Sequence, residues 1–508
     1  MKSLQEIEPR TLISSVPFTI SAPGSYYLSN NLTVATGNAI IIATNDVTLD
    51  LNGCTISSTA PSSTGTGIAV NGSLMNILIL NGFIQSGVAD GGSDTYSGPG
   101  FASGIYSSQA VNLRVTGVSV SGCLDDGIYL AGSASTVDRC LVNTIGGAGI
   151  VAGTVADSTA INCAGNAIYA TKASGCYGQS PYAGIGIFAQ TVDNCIGTSA
   201  SYYGIYASAE AGHSYGTSIS GYYGVYTSIA NNCCGLAYAT NGIGILAYNV
   251  VGCYASGGAD GIYAYGSVSG SYGNSADGDG IYAYAAENCY GSSSAPSGGT
   301  SYAGIYAYAA INCYGYSYYQ NGVQINAGNN CYGTSSYGFG ITGLSAHGAT
   351  LDNSHGYSYN NDGIAVSAAN NCYGESWNGY GISVDTANNC RGLVDAGNAS
   401  YTVAIAANTA NNCFGMNQNT GSYGIGISAY AVNNCEGVSY GIYGTGVNSY
   451  CIATGCYGEG DGTTAAGLYS NVVAACCYGS GTGTGLSSYI ANSCYGSSVS
   501  ATYKYNMP

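Results

Sequence analysis

One phrase returns along this chain at intervals of about twenty residues: Gly-Ile-x-Ala-x-x-Ala-x-Asn-Cys-Tyr-Gly. It reads GIYAYAAENCYG from Gly280, GIYAYAAINCYG from Gly304, GVQINAGNNCYG from Gly322, GIAVSAANNCYG from Gly363 and GISVDTANNCRG from Gly381. In every copy the cysteine follows the opening glycine by nine residues. A short fixed period sustained over hundreds of residues means one structural unit stacked on copies of itself. Within Gly-Ile-x-Ala-x the period is two, so Ile and Ala face inward and the x positions outward, as in a β-strand. The unit is therefore one coil of a parallel β-helix. The expected fold is all-β, a single-stranded solenoid of about 20–24 short coils.

The 508 residues would ordinarily suggest two or three globular domains. A solenoid escapes that limit because each coil packs only on its neighbours. Charged residues are 6% of the chain, while Gly (81) and Tyr (50) are far above average usage. Hydrophobic content is 46%, and Ile, Val and Ala recur in phase, so the chain can build a core instead of staying disordered. Net charge is −17 with seven Lys and Arg. So few cations argue against nucleic acid, whose phosphates are bound through counterion release, and against anionic membrane surfaces. No run of eighteen apolar residues is present, and no membrane insertion is expected. Met1-Lys2 begins as a signal peptide does, but SLQEIEPR stands where an apolar stretch would follow. The Gly/Ser/Tyr/Asn-rich composition nonetheless points to an extracellular or cell-surface protein whose presequence is not in this chain.

Residues 1–22 read as a lead-in segment. PGSYYLSNNLTV (23–34), NAIIIATNDVTLDLNGCTI (38–56), MNILILNGFI (75–84) and VNLRVTGVSVSGC (111–123) alternate like strands, which makes 23–148 an N-terminal cap with longer-stranded coils. SGVADGGSDTYSGPGFASG (86–104) is a long loop rich in Gly, Ser and Asp. Residues 149–495 form the regular short coils, and 496–508 are expected to close the last coil, whose edge would otherwise be unpaired.

The repeat assigns roles inside the coil. The opening glycine is expected to turn the corner with φ > 0. Asn precedes Cys at 162, 194, 232, 288, 312, 330, 371, 389, 412 and 434; Asn tolerates the left-handed conformation, and its amide can bond its copy one coil away. The 21 cysteines would suggest a disulfide scaffold in a small exported protein. Instead Cys289, Cys313, Cys331, Cys372, Cys390, Cys413 and Cys435 hold one place in their coils and should form a ladder of mostly buried thiols. The vertical spacing of about 4.8 Å also leaves bridges between neighbours sterically open. There is no CxxC, and His213, His347 and His355 are scattered, so zinc is not expected.

FTISAPGSYYLSNNLTV followed by NDVTLDLNGCTI resembles the N-terminal cap of bacterial exported right-handed parallel β-helix repeat proteins, and the looser match through the repeats covers most of the chain. The resemblance implies a pectate-lyase-like superfamily fold with an N-terminal cap and activity unassigned; the wider superfamily includes pectate lyases, polygalacturonases and phage tailspikes. Right-handedness follows from it and from the preference of parallel connections.

Two chemistries compete for such a chain. Asp125 and Asp126 in CLDDGIYL resemble the central aspartate pair of polygalacturonase-like enzymes, and Arg114 and Arg139 are the cations nearby in sequence. A polysaccharide lyase or glycoside hydrolase would place its acidic groove there, with Asp125, Asp126 and Arg139 as catalytic candidates. The family's Gly-His-Gly and Arg-x-Lys motifs are absent, and inverting hydrolysis needs two carboxyl groups held about 6.5–9.5 Å apart in different protonation states. Arg391 stands alone where the ladder has tyrosine. Asp260, Asp277 and Asp279 form a second acidic group: Asp260 and Asp279 precede the glycine of successive coils, so their carboxylates should either splay into solvent or hold a weak calcium ion. No other cofactor is expected.

Tyrosine gives the strongest surface signal. First-strand outward positions carry Tyr206, Tyr226, Tyr263, Tyr265, Tyr282, Tyr284, Tyr306 and Tyr308. The second strand adds Tyr177, Tyr215, Tyr254, Tyr272, Tyr290, Tyr314, Tyr332 and Tyr373, then Tyr457, Tyr478 and Tyr495. Stacked coils turn these into two tyrosine ladders, each ring lying on the sheet while its hydroxyl stays wet. The binding surface is placed on Tyr263, Tyr265, Tyr282, Tyr284, Tyr306, Tyr308, Tyr290 and Tyr314. The expected function is a non-catalytic extracellular rod, structural or adhesive, whose tyrosine faces contact glycan or sibling molecules in fibres.

Overall fold

The structure, a computed structural model, describes residues 10–109, 111–132, 134–296, 302–344, 348–395 and 399–507. His347 and the first nine residues of the lead-in lie outside them. Among the described residues every regular element is a β-strand, and no helix is long and apolar enough to cross a membrane. The described strand pairings are parallel except for one small hairpin, Ala89–Asp90 with Tyr96–Ser97. The chain divides into two compact units, Met1–Gly258 and Ala259–Pro508.

The first unit opens with long, aliphatic strands. Met75–Gln85 runs parallel to Val111–Cys123 with Ile77 beside Leu113, Ile79 beside Val115 and Ile84 beside Val120. These side chains are fully buried, and each contributes about 1.5–3 kcal/mol of burial. The loop 86–104 carries the small hairpin and lies against the coils: the Tyr182 hydroxyl donates to Asp90 (2.7 Å), and that of Tyr96 to the Asn162 carbonyl (3.2 Å). From Ile150 the coils shorten, and Ile150, Ile168, Ile187 and Ile205 stack in register.

The second unit repeats the short coil with little variation. Ile281, Ile305, Val323, Ile341, Ile364, Ile382, Ile405 and Ile427 form one buried column. Behind them much of the interior is small, as at Ala286, Ala310, Cys289 and Cys313, with Ile325, Leu351 and Val394 as larger side chains among them. The coil is thin enough for backbone to meet backbone. This corrects the sequence-based role of the opening glycine: Gly280 and Gly304 do not have positive φ. A Cβ on Gly304 would lie 2.4 Å from the Tyr316 nitrogen and 2.6 Å from its oxygen, so it is lack of room that demands glycine there.

The left-handed corner belongs to asparagine. Asn288, Asn312, Asn330, Asn371, Asn389, Asn412 and Asn434 all have φ between 51° and 54°, and Gly175, Gly252, Gly270 and Gly455 take the same corner with φ of 56–65° in other coils. The amides form the expected ladder, Asn312 Nδ2 donating to Asn288 Oδ1 (3.1 Å) and Asn330 to Asn312 (2.8 Å). A second ladder, absent from the sequence reading, runs through Asn388, Asn411 and Asn433, each donating to the residue one coil before at 2.9 Å. All 21 cysteines are free thiols, most of them buried. Cys289 Sγ donates to the carbonyl of Glu287 (3.1 Å) and to that of Val268 in the preceding coil (3.4 Å), so the buried polar atom is satisfied. Val499–Tyr505 in the closing segment pairs parallel with Thr484–Asn492 as one further rung.

Candidate functional site: aromatic rows and the groove beside them

Parallel strands lie about 4.7–4.9 Å apart, so identical outward residues on successive coils must stack at nearly that distance. In the second unit Tyr263, Tyr282 and Tyr306 do so with ring centroids 4.6 and 4.9 Å apart and planes 10–12° from parallel. Tyr272, Tyr290, Tyr314 and Tyr332 form another row at 4.7–5.0 Å. A third row stands further out: Tyr284 stacks on Tyr308 (5.3 Å), and Tyr265 meets Tyr263 edge-on (5.2 Å). Tyr265 and Tyr284 are 61% and 63% exposed, whereas Tyr263, Tyr282, Tyr306, Tyr290 and Tyr314 are half-buried. All eight tyrosines expected at the surface are thus brought together in three rows. Burial, with neighbouring phenols adding to it, pushes Tyr263, Tyr290 and Tyr306 above the ordinary phenol value, so their hydroxyls remain neutral donors at neutral pH.

The second-strand row continues with substitutions that keep a flat or cationic partner in place. His355 meets Tyr332 edge-on (4.6 Å) and Tyr373 at 4.5 Å; burial lowers its pKa. The Arg391 guanidinium lies between Tyr373 and Phe414, 5.6 and 5.5 Å from their centroids. In the first unit the first-strand row is equally continuous, Tyr169, Phe188, Tyr206 and Tyr226 stacking at 4.7–5.0 Å. The second-strand row there is not a tyrosine ladder, contrary to expectation. Ile196 separates Tyr177 from Tyr215, and Cys234 separates Tyr215 from Tyr254.

The first-strand row of the second unit stops at Tyr306. The next positions in register are Gln324, Thr342, Ala365 and Ser383, and the missing rings leave a groove of about 570 Å³. Its lining is polar (Gln324, Thr342, Ser383, Asn321, Asn361), with Phe339 as an aromatic wall. The sequence reading did not single out this groove. Its signal was in the repeat: the residue after Ile or Val changes from Tyr in GIYAYAAINCYG to Gln, Thr, Ala and Ser.

Asp126, Asp260 and Asp279 are engaged with backbone. Asp126 Oδ1 accepts from the Ala148 amide in the next coil (3.1 Å); burial, reinforced by Asp125, raises its pKa against that hydrogen bond. Asp125 is exposed. Arg139, also exposed, donates to Asp138 (2.8 Å) and to Thr116 (3.2 Å). It occupies the corner before Cys140, whereas Asp126 occupies the corner before Gly127 and Ile128, so Asp126 and Arg139 sit at different turns of the coil. The shallow groove that Arg139 lines includes neither aspartate.

Asp260 and Asp279 play the part of Asp126. Asp260 Oδ1 accepts from the Asp279 amide (2.8 Å), and Asp279 Oδ1 from the Ala303 amide (2.6 Å); Asn321 does the same for Phe339 (3.1 Å). Asp279 is buried and Asp260 nearly so, so neither splays into solvent as one expectation held, while Asp277 is exposed. Burial raises Asp260 to about 6. It raises Asp279 well above the ordinary carboxyl value, with Asp260 adding to the effect. Among the described residues no group of three or more His, Cys, Asp or Glu side chains is placed to hold a metal ion.

Residues 23–181 match the family model described as a right handed beta helix region. No curated protein and no solved structure matches the chain. The match covers the first coils, and parallel coils of the same kind continue through the described residues, so the fold of this chain is an all-β parallel β-solenoid.

Proposed function

We propose that this protein is a non-catalytic, extracellular structural or adhesive solenoid whose tyrosine rows contact glycan. The observation that carries the proposal is the juxtaposition in the second unit of stacked, partly exposed tyrosines and a polar groove in the same first-strand column. Tyr306 ends the stack where Gln324 begins the groove. Sugar rings present an apolar face and a rim of hydroxyls. An aromatic wall such as Phe339 suits the first, and Gln324, Thr342, Ser383 and Asn361 suit the second. The exposed outer row of Tyr284 and Tyr308 also offers a flat surface to a second molecule, the route to self-association. Support for a location outside the cell is compositional.

An enzyme of the lyase or hydrolase type would need carboxylates free to meet substrate, and Asp126 instead holds the Ala148 amide. The test is a polysaccharide panel scored for retention and for product release, with and without Ca²⁺. Retention of one glycan class without turnover is expected. Product release abolished by Asp126→Asn, which keeps the acceptor oxygen for Ala148, would overturn the proposal in favour of an enzyme.

A further inference from the structure

Beneath the second-strand row of the second unit runs a column of sulfur. The residues that follow Cys372, Cys390, Cys413, Cys435, Cys456, Cys477 and Cys494 pair in unbroken register from Tyr373 to Tyr495. The seven cysteines therefore occupy seven successive rungs. All are buried and free, and each sulfur faces its neighbour's backbone: the Cys413 amide donates to Cys435 Sγ at 3.3 Å. The fold does not require sulfur at this place. Ser354 fills the same rung with its hydroxyl, accepting from the Cys331 amide (2.9 Å) and donating to the Asp352 carbonyl (2.7 Å), and Ser158 does so in the first unit.

A column of thiols one strand apart has a specific coordination chemistry. No three donors converge on a point among the described residues, which suits neither tetrahedral zinc nor an oxygen-ligated cation. Two thiolates in line are another matter. At the sulfur–metal bond length of about 2.3 Å found in zinc thiolates, a linear sulfur–metal–sulfur unit spans roughly 4.6 Å, close to the 4.7–4.9 Å between strands. Soft thiolate ligands select soft ions such as copper(I). A groove of about 560 Å³ lies over this stretch, lined by Cys390, Cys413 and Cys435 with Arg391, Phe414 and Glu436, and gives such an ion a way in.

We propose that the column from Cys372 to Cys494 binds soft two-coordinate monovalent ions, copper(I) or its analogue silver(I), between successive thiolates. Each ion displaces one thiol proton to solvent, and no electron is transferred. Seven thiols in line offer six spaces, so six ions displace six protons while one terminal thiol keeps its own, and the buried column stays neutral, which avoids the cost of an unpaired buried charge. Binding therefore propagates from the groove in both directions and is cooperative. This inference is independent of the glycan proposal.

The test is a titration of the reduced full-length protein with silver(I) nitrate in chloride-free buffer, followed by native mass spectrometry. Several ions are expected to bind cooperatively, with X-ray absorption showing two sulfur neighbours per silver. Cys390→Ser/Cys413→Ser/Cys435→Ser is expected to lose at least one ion per thiol replaced while keeping its circular dichroism, since serine already fills this rung elsewhere. Should that variant misfold, Cys413→Ser alone interrupts the column and lowers the stoichiometry. Uptake unchanged by these substitutions, uptake removed by replacing only the exposed Cys476, or a nitrogen and oxygen shell around silver would each overturn the proposal.

Discussion

In the opening coils of the first unit the interior is filled by Ile77, Ile79, Leu113, Val115 and Val120, whereas in the second unit Ala283, Ala286, Cys289, Ala307, Ala310 and Cys313 share the interior with one continuous aliphatic column and scattered larger residues such as Leu351 and Val394. Both build parallel coils in register. The first does so by burying large aliphatic side chains, which is worth most per residue. The second buries less inside each coil and adds repeated small gains: asparagine amides in ladders, thiols and hydroxyls bonded to carbonyls, and tyrosine rings stacked on the outer surface. Each of these is worth about 1 kcal/mol or less, but each recurs in coil after coil. A consequence is that the outer surface of the second unit is already ordered before any ligand arrives.

The largest effects separate the two interiors by the sign of the volume change. Ile79→Ala in the first unit should cost about 2–5 kcal/mol in chemical denaturation, because it leaves a cavity. In the second unit the costly change is an addition. Gly304→Ala should destabilise by about 1–3 kcal/mol or more, since its Cβ would meet backbone atoms of Tyr316. Gly304→Ala at wild-type stability would mean that the coil is not as thin as described.

Next come the carboxylates at the corners. The folded pKa of Asp260, about 6, and that of Asp279 lie above the unfolded value near 3.9. Between the two values the folded chain holds more protons than the unfolded one, so stability falls as pH rises from about 4 through 6. The loss from Asp260 is about 3 kcal/mol at most. Asp260→Asn/Asp279→Asn, which copies Asn321, should reduce this slope and raise the melting temperature at pH 7, the remainder coming from Asp362, which burial also raises to about 6. A melting temperature that is flat from pH 4 to 7 in the wild type would contradict the burial of these groups.

The asparagine corner gives a smaller effect. Asn312→Ala should cost about 1–2 kcal/mol, from forcing alanine to φ of 53° and losing a ladder rung. Asn312→Gly should cost less, because glycine already takes that corner at Gly252 and Gly270. Equal melting temperatures for the two variants would place the cost in the amide ladder alone.

Much of the fold was legible in the chain. The period of the Gly-Ile-x-Ala phrase set the coil, and the Asn-Cys dipeptide marked the left-handed corner and the buried thiol. The opening glycine was misread because crowding between two backbones leaves no local signature: φ preference is a property of one residue, whereas the approach of Tyr316 to Gly304 depends on the whole coil. The hydrogen bonds that Asp126, Asp260 and Asp279 make to the next coil cannot be read from sequence spacing. The tyrosine rows of the second unit followed from outward positions at one period. The groove at Gln324 and Ser383 is harder to see, since it is made by rings that the repeat leaves out.

The most direct measurement is calorimetric titration of the wild type and of Phe339→Ala with the oligosaccharide that the panel retains most strongly. Wild-type binding weakened at least about tenfold by the substitution, a loss of roughly 1.4 kcal/mol, is the result expected if the groove and its tyrosine row form the contact surface. Equal affinity in the two proteins, or no glycan bound by the wild type, would contradict it.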